Sequence, residues 1–121
     1  MAVSDVTTYL AALDHPRADD IRRVRAEILE AEPVLTDSIK WNAPNFLFCG
    51  EDRVTFRVAP GDVFQIILHR GAKVTGETVR VDAPAGLVKW ASGDRGILTV
   101  PADVDGFIAE ALSVITAWVR A

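Results

Sequence analysis

The sequence predicts an α+β fold, a two-layer sandwich in which an antiparallel sheet of about five strands carries two N-terminal helices and one C-terminal helix on one face. Three observations lead there. Apolar residues recur at helical spacing before residue 33 and after residue 101, and alternate at period two between about 38 and 100. Turn-forming Gly, Pro and Asp break up the alternating part, as consecutive hairpins require. The chain has 121 residues, half of them hydrophobic and a quarter charged. That is material for one domain, 1–121, with one core.

Each element has its own signal. Val6, Tyr9, Leu10 and Leu13 fall at i, i+3, i+4 and i+7 behind Ser4, a good N-cap, so a short amphipathic helix is expected. "DHPRADD" breaks and restarts the chain: Pro16 suits the first turn of a second helix, and Asp19 and Asp20 its positive dipole end. Ile21, Val24, Ile28 and Ala31 form the inner stripe of that helix. Arg17, Arg22, Arg23, Glu27 and Glu30 lie outside, with Asp19–Arg23 and Arg23–Glu27 pairs one turn apart. Pro33 ends it.

In "VTFRV", Val54, Phe56 and Val58 alternate with Thr55 and Arg57. In "VFQIILHR", Phe64, Ile66 and Leu68 take one side and Gln65, Ile67 and His69 the other. "GED" and "PGD" supply turns between these strands. The stretch 71–86 reads as a loop with room for one short strand, and 87–90 and 96–100 are further strand candidates. After Pro101, Val104, Phe107, Ile108, Ala111, Leu112, Ile115 and Val119 keep the helical rhythm. Phe107, Ile108, Leu112 and Ile115 are expected to cover Phe56, Phe64, Ile66 and Leu68.

Charge and cysteine usage exclude whole classes. Seventeen acids against thirteen bases give a net charge of −4 and a pI near 5.1, without the basic excess that nucleic-acid binding draws on. Cys49 stands alone, as in a reducing compartment, and is expected as a buried strand thiol. "MAVSDVTTYL" has neither a basic leader nor a signal-like apolar run, and no apolar stretch approaches about 18 residues. The expectation is a soluble cytoplasmic protein, monomer or homodimer, with no nucleic-acid and no membrane partner.

No nucleophile elbow, phosphate loop or dinucleotide fingerprint occurs. His15 and His69 belong to different elements, and no metal-binding spacing accompanies them. Asp14, Asp19 and Asp20, like Asp103 and Asp105, read as helix N-terminal charge. These absences favour a non-enzymatic protein with no catalytic residue to name. What stands out is "SIKWNAPNF". Its Trp41, Asn42 and Phe46 lead into the sheet whose uncovered face His69 shares by alternation. With Trp90 they are expected to line one cavity, where Lys40 and Arg57 would attract an anion. Residues 1–37 hold eight acids and four arginines, whereas 38–100 hold eight bases and six acids. A small neutral or anionic ligand therefore suits the sheet better than a cation. The plainer expectation is that Trp41 and Trp90 are core lids, Pro44 a turn or bulge device and His69 a hydrogen-bonded surface residue.

"IKWNAPNF" also resembles the signature of the YdhG-like family, a large bacterial group described as a domain of unknown function. Ile39, Lys40, Trp41, Pro44 and Phe46 fill its places, and "LHRGAKV" and "KWASGDRGILTV" are similar to later segments of one branch. The resemblance implies a compact α+β domain with a curved antiparallel sheet. No cofactor is expected from the residues themselves; because some relatives are frataxin-like iron chaperones, the resemblance alone implies iron, and an iron-binding metallochaperone is the competing function. Frataxins use an acidic ridge, whereas here Asp19 and Asp20 are mixed with Arg22, Arg23 and Arg25. A third expectation is a protein-interaction domain using a sheet edge or apolar patch.

Overall fold

The computed structural model describes residues 5–71 and 81–121. Helices α1 (Asp5–Ala11) and α2 (Ala18–Ala31) precede strands β1 (Thr36–Lys40), β2 (Ala43–Phe48), β3 (Glu51–Arg57) and β4 (Gln65–Leu68). Strands β5 (Lys89–Ser92) and β6 (Arg95–Thr99) follow, and helix α3 (Val104–Arg120) closes the chain. The strands form one antiparallel sheet in the order β1-β2-β3-β4-β6-β5. The α+β architecture is as expected, with six strands among the described residues instead of about five.

The added strand comes from "SIKWNAPNF". It is a hairpin, with β1 and β2 paired from Thr36↔Leu47 to Lys40↔Ala43. Trp41 and Asn42 form its two-residue loop at φ 52° and 59°. Two successive positive φ values give the type I′ turn, whose twist matches that of the strands. Cys49 and Gly50, at φ 52° and 80°, make the same turn between β2 and β3. Cys49 is therefore an exposed turn residue and not the buried strand thiol that was expected. Pro44 lies within β2, buried opposite Ile39, and the bulge falls two residues on, between Phe46 and Leu47.

Alternation sorts the side chains by face. Phe46, Val54, Phe56, Phe64, Ile66, Leu68 and Leu98 point to the helices and are at most 2% exposed. Each such side chain contributes about 1.5–3 kcal/mol of transfer free energy. Helix α3 covers them with Phe107, Ile108 and Ile115 as expected, but Leu112 is only half-buried. Val114 and Trp118 take its place, and Trp118 is wholly buried.

The helix ends depart from expectation. Helix α2 starts at Ala18, after Pro16, and Arg17 stands at its cap. The Arg17 guanidinium donates to Asp20 at 2.9 Å and to the carbonyls of Val100 and Pro101 at 2.6 Å each. Ala31 is exposed where the chain leaves the helix, and Leu35 fills the core beyond it. Asp19 pairs with Arg22 at 2.9 Å in place of Arg23. Arg23 is drawn instead to Asp105 on α3 and to Glu27 at 3.9 Å. Ser4 and the 72–80 part of the predicted loop lie outside the described residues.

Candidate functional site

The sheet face away from the helices has a polar half and an apolar half. Register sets Asn45 opposite Thr55, Thr55 opposite Ile67, and Ile67 opposite Ile97, so one row crosses from amide to hydroxyl to aliphatic floor.

The polar half is a hydrogen-bonded chain whose direction is fixed at one end. Asp52 accepts from Lys40 and, at 2.8 Å, from Asn45 Nδ2. The Asn45 oxygen is then left to accept from the Thr55 hydroxyl at 2.7 Å. With its one proton committed, Thr55 Oγ1 can only accept from His69 Nε2–H, also at 2.7 Å. His69 Nδ1 accepts the Gly71 N–H at 3.0 Å and also lies 3.3 Å from the Gly71 carbonyl, which would accept from it if the ring were charged. A carboxylate three hydrogen bonds away thus selects the neutral Nε2–H tautomer of His69. Burial pushes the His69 pKa down and the nearby Arg95 charge adds to this, while the Gly71 backbone and Asp52 oppose it. The Lys40 hydrogen bond holds Asp52 below the usual carboxylate range, with help from Asn45 and against burial. Asn45, Thr55 and His69 are each at most 1% exposed.

Trp41 lies over this chain, its ring centre 5.4 Å from that of His69 and 5.1 Å from Lys40 Nζ. Beside it opens a cleft of about 650 Å³. Ile67 and Ile97 are its floor, and Trp41 and Asn42 on the β1–β2 turn form one wall. It continues past Arg57 to Tyr9 and Leu13 at the α1–α2 corner. His15 fixes that corner: its Nε2 meets the Val58 carbonyl at 2.9 Å, and its Nδ1 accepts the Arg17 N–H at 2.9 Å. Arg57 is exposed and reaches Gln65 at 3.4 Å. Arg95 is half-buried; its Nη2 donates to the Gly71 carbonyl at 3.3 Å, and its Nε is buried without a hydrogen-bond partner among the described residues.

Of the residues singled out in the sequence, Trp41, Asn42 and Arg57 line the cleft. His69 is beneath Trp41, and Lys40 is beside it, tied to Asp52. Phe46 and Trp90 are elsewhere. Phe46 follows Asn45, so alternation turns it to the core, where it packs on Phe56 at 5.2 Å. Trp90 folds over Gly96 on the helix side, 5.8 Å from Trp118. His69 is buried, not a surface histidine. Arg95, Ile97 and the α1–α2 corner were missed. Alternation in "RGILTV" would have put Arg95 and Ile97 on one face, but the sequence does not reveal that β6 pairs with β4.

Among the described residues no three His, Cys, Asp or Glu side chains gather as a metal-ligand set. Asp19 and Asp20 are each held by an arginine. No described helix is long and apolar enough to cross a membrane. No family model, curated protein or solved structure matches the chain, so its function has to be read from the cleft itself.

Proposed function

We propose that this chain is a non-enzymatic binding module that holds a small neutral or anionic molecule on the open sheet face. The observation that carries this reading is the cleft of about 650 Å³, floored by isoleucines and flanked by a tryptophan. Small-molecule sites are commonly clefts of this size, mostly apolar with a few polar groups. Trp41 is 56% exposed and sits at φ 52°, where a bulky side chain is an outlier. Such a conformation costs on the order of 1 kcal/mol and is typical of binding sites. An indole held there offers a flat face for stacking, and the Asn42 amide offers both a donor and an acceptor.

Binding fits better than catalysis because neither histidine is free to act as a base. His15 is committed to backbone groups of Val58 and Arg17, and His69 to Thr55 and Gly71. The arginines of the cleft also repel a ferrous ion, which sets the iron-carrying alternative below this one.

A thermal-shift screen of small metabolites tests the proposal. Trp41→Asn removes the ring and keeps the turn, since Asn tolerates positive φ. Hits at about 100 times their Kd stabilise the wild type by roughly 2.7 kcal/mol. They are expected to lose most of that shift in Trp41→Asn. Hits that survive the substitution unchanged would sink the cleft as the site.

A further inference from the structure

Among the described residues, the two arginines that line the cleft differ from most other cations of the fold. Arg17, Arg22, Arg23, Arg25, Arg53 and Arg120 each have a carboxylate within ion-pair distance. Lys40, on the open face, is neutralised by Asp52. Arg57 and Arg95 form no ion pair among the described residues, and Arg95 also has a buried Nε without a described partner, a feature it shares with Arg53 but without the carboxylate that Arg53 has. Desolvating a guanidinium nitrogen without a partner is unfavourable, and an anion would relieve it. Among the described residues of the cleft lining the one acid, Asp14, is exposed and pairs with neither arginine.

Their placement says more than their charge. Arg57 pairs with Gln65, and Gln65 with Thr99, whereas Arg95 stands four residues earlier than Thr99 on β6. At about 3.3 Å per residue and about 4.8 Å per strand, their Cα atoms are roughly 16 Å apart on a diagonal. Ile67 and Ile97 lie between them, with the Trp41 ring alongside. The cleft therefore has a cation towards each end and an apolar middle with one flat wall.

From this geometry we infer that the ligand is a flat dicarboxylate: an aromatic or conjugated body on Ile67 and Ile97 beside Trp41, with one carboxylate at Arg57 and the other at Arg95. A single guanidinium pairs in a plane with two oxygens of a carboxylate or of a phosphate, so the choice rests on what surrounds it, and Arg57 and Arg95 stand on strands. A phosphate usually gathers several backbone donors, often at a helix start. This inference rests on the cleft being a small-molecule site and adds the class of molecule.

Calorimetry with 2,6-naphthalenedicarboxylate, 2-naphthoate and 2-naphthamide separates the contributions. The dicarboxylate is expected to bind about tenfold or more tighter than the monoacid, as one added charge-assisted pair implies, and the amide weakest. Arg57→Gln and Arg95→Gln should each bring the dicarboxylate down to the level of 2-naphthoate while leaving the amide unchanged. Added salt should weaken the acids alone. Arg57 is exposed, so its variant keeps the test decisive should Arg95→Gln lower stability. Equal binding of amide and dicarboxylate, or a dicarboxylate indifferent to Arg57→Gln, overturns the inference. If that binding still depends on Trp41, the cleft survives as a site for neutral ligands. No binding of all three probes, with hits in the wider screen, removes the dicarboxylate and spares the cleft. No binding and no hits removes both.

Discussion

Thr55 has one proton and two neighbours that want it, and the choice between them decides the state of His69. Because Asp52 orients Asn45, Thr55 donates to Asn45 and the imidazole must donate to Thr55. A second proton on His69 would have to sit on Nδ1, where it displaces the Gly71 N–H and finds only the Gly71 carbonyl at 3.3 Å, an offset smaller than the burial that opposes it. The ring is also wholly buried. The sign of the linkage follows. Unfolded, His69 titrates near pH 6.5, and folded its pKa is lower. Above about pH 6.5 both states are neutral and stability is at its full value. Below that, the unfolded chain takes up a proton that the folded chain refuses, so stability falls until the lowered folded pKa is reached. The lowered Asp52 acts in a separate window, its contribution being lost only as pH falls below about 3.9. Urea midpoints at pH 7, 6 and 5 should therefore decline in the wild type and decline less in His69→Asn. Equal slopes in the two proteins would show that the proton goes elsewhere. The sequence pointed to His69 through alternation but gave no hint of this chain, which needs the β2–β3 and β3–β4 registers together.

Elements were legible where periodicity is strong and obscure where an unexpected residue makes the turn. Strands β3 and β4 alternate cleanly and were expected with their correct faces, because one side of each is core. The β1–β2 hairpin was not expected, since its I′ turn uses Trp-Asn where Asn-Gly is the usual signal. Its strands therefore merged into one puzzling stretch. The β5–β6 pair shows a different limit. Strands near 87–90 and 96–100 were expected, but Trp90 was assigned to the wrong face because the bulge between Trp90 and Ser92 and the pairing with Gly96 cannot be read locally. Gly96 is what lets the indole lie flat on the sheet. A Cβ there would come within 2.7 Å of Val88 Cγ1 and 2.8 Å of the Trp90 ring. Gly96→Ala should cost about 1–3 kcal/mol, as overpacking generally does, and should shift the tryptophan emission as the Trp90 ring is pushed outward. A variant as stable as wild type with unchanged emission would mean that β5 moves aside freely.

At the scale of the whole molecule, the last turns of α3 join the two layers by both packing and hydrogen bonds. Trp118 is wholly buried, and its indole N–H donates to the Arg53 carbonyl at 3.0 Å and the His69 carbonyl at 3.2 Å. The Arg70 guanidinium lies 4.5 Å from its ring centre, and Arg120, two residues on, binds Glu32 at the end of α2. Periodicity predicted α3 and most of its buried stripe but omitted Trp118, because a stripe does not say which end of a helix lies deepest. His69 links this junction to the open face: its carbonyl meets the helix layer while its ring meets Thr55. Two substitutions separate the roles of the indole. Trp118→Ala removes the ring and should cost about 3–5 kcal/mol, a large share of a typical 5–15 kcal/mol stability. Trp118→Phe keeps most of the packing and removes the donor. The Arg53 carbonyl retains the His69 N–H at 3.0 Å, so the His69 carbonyl bears most of the loss, about 1–2 kcal/mol for one buried acceptor left unpaired. Urea unfolding should therefore rank wild type above Trp118→Phe and Trp118→Ala last. A Phe variant as unstable as the Ala variant would show that the hydrogen bonds, rather than the ring, hold α3 to the sheet.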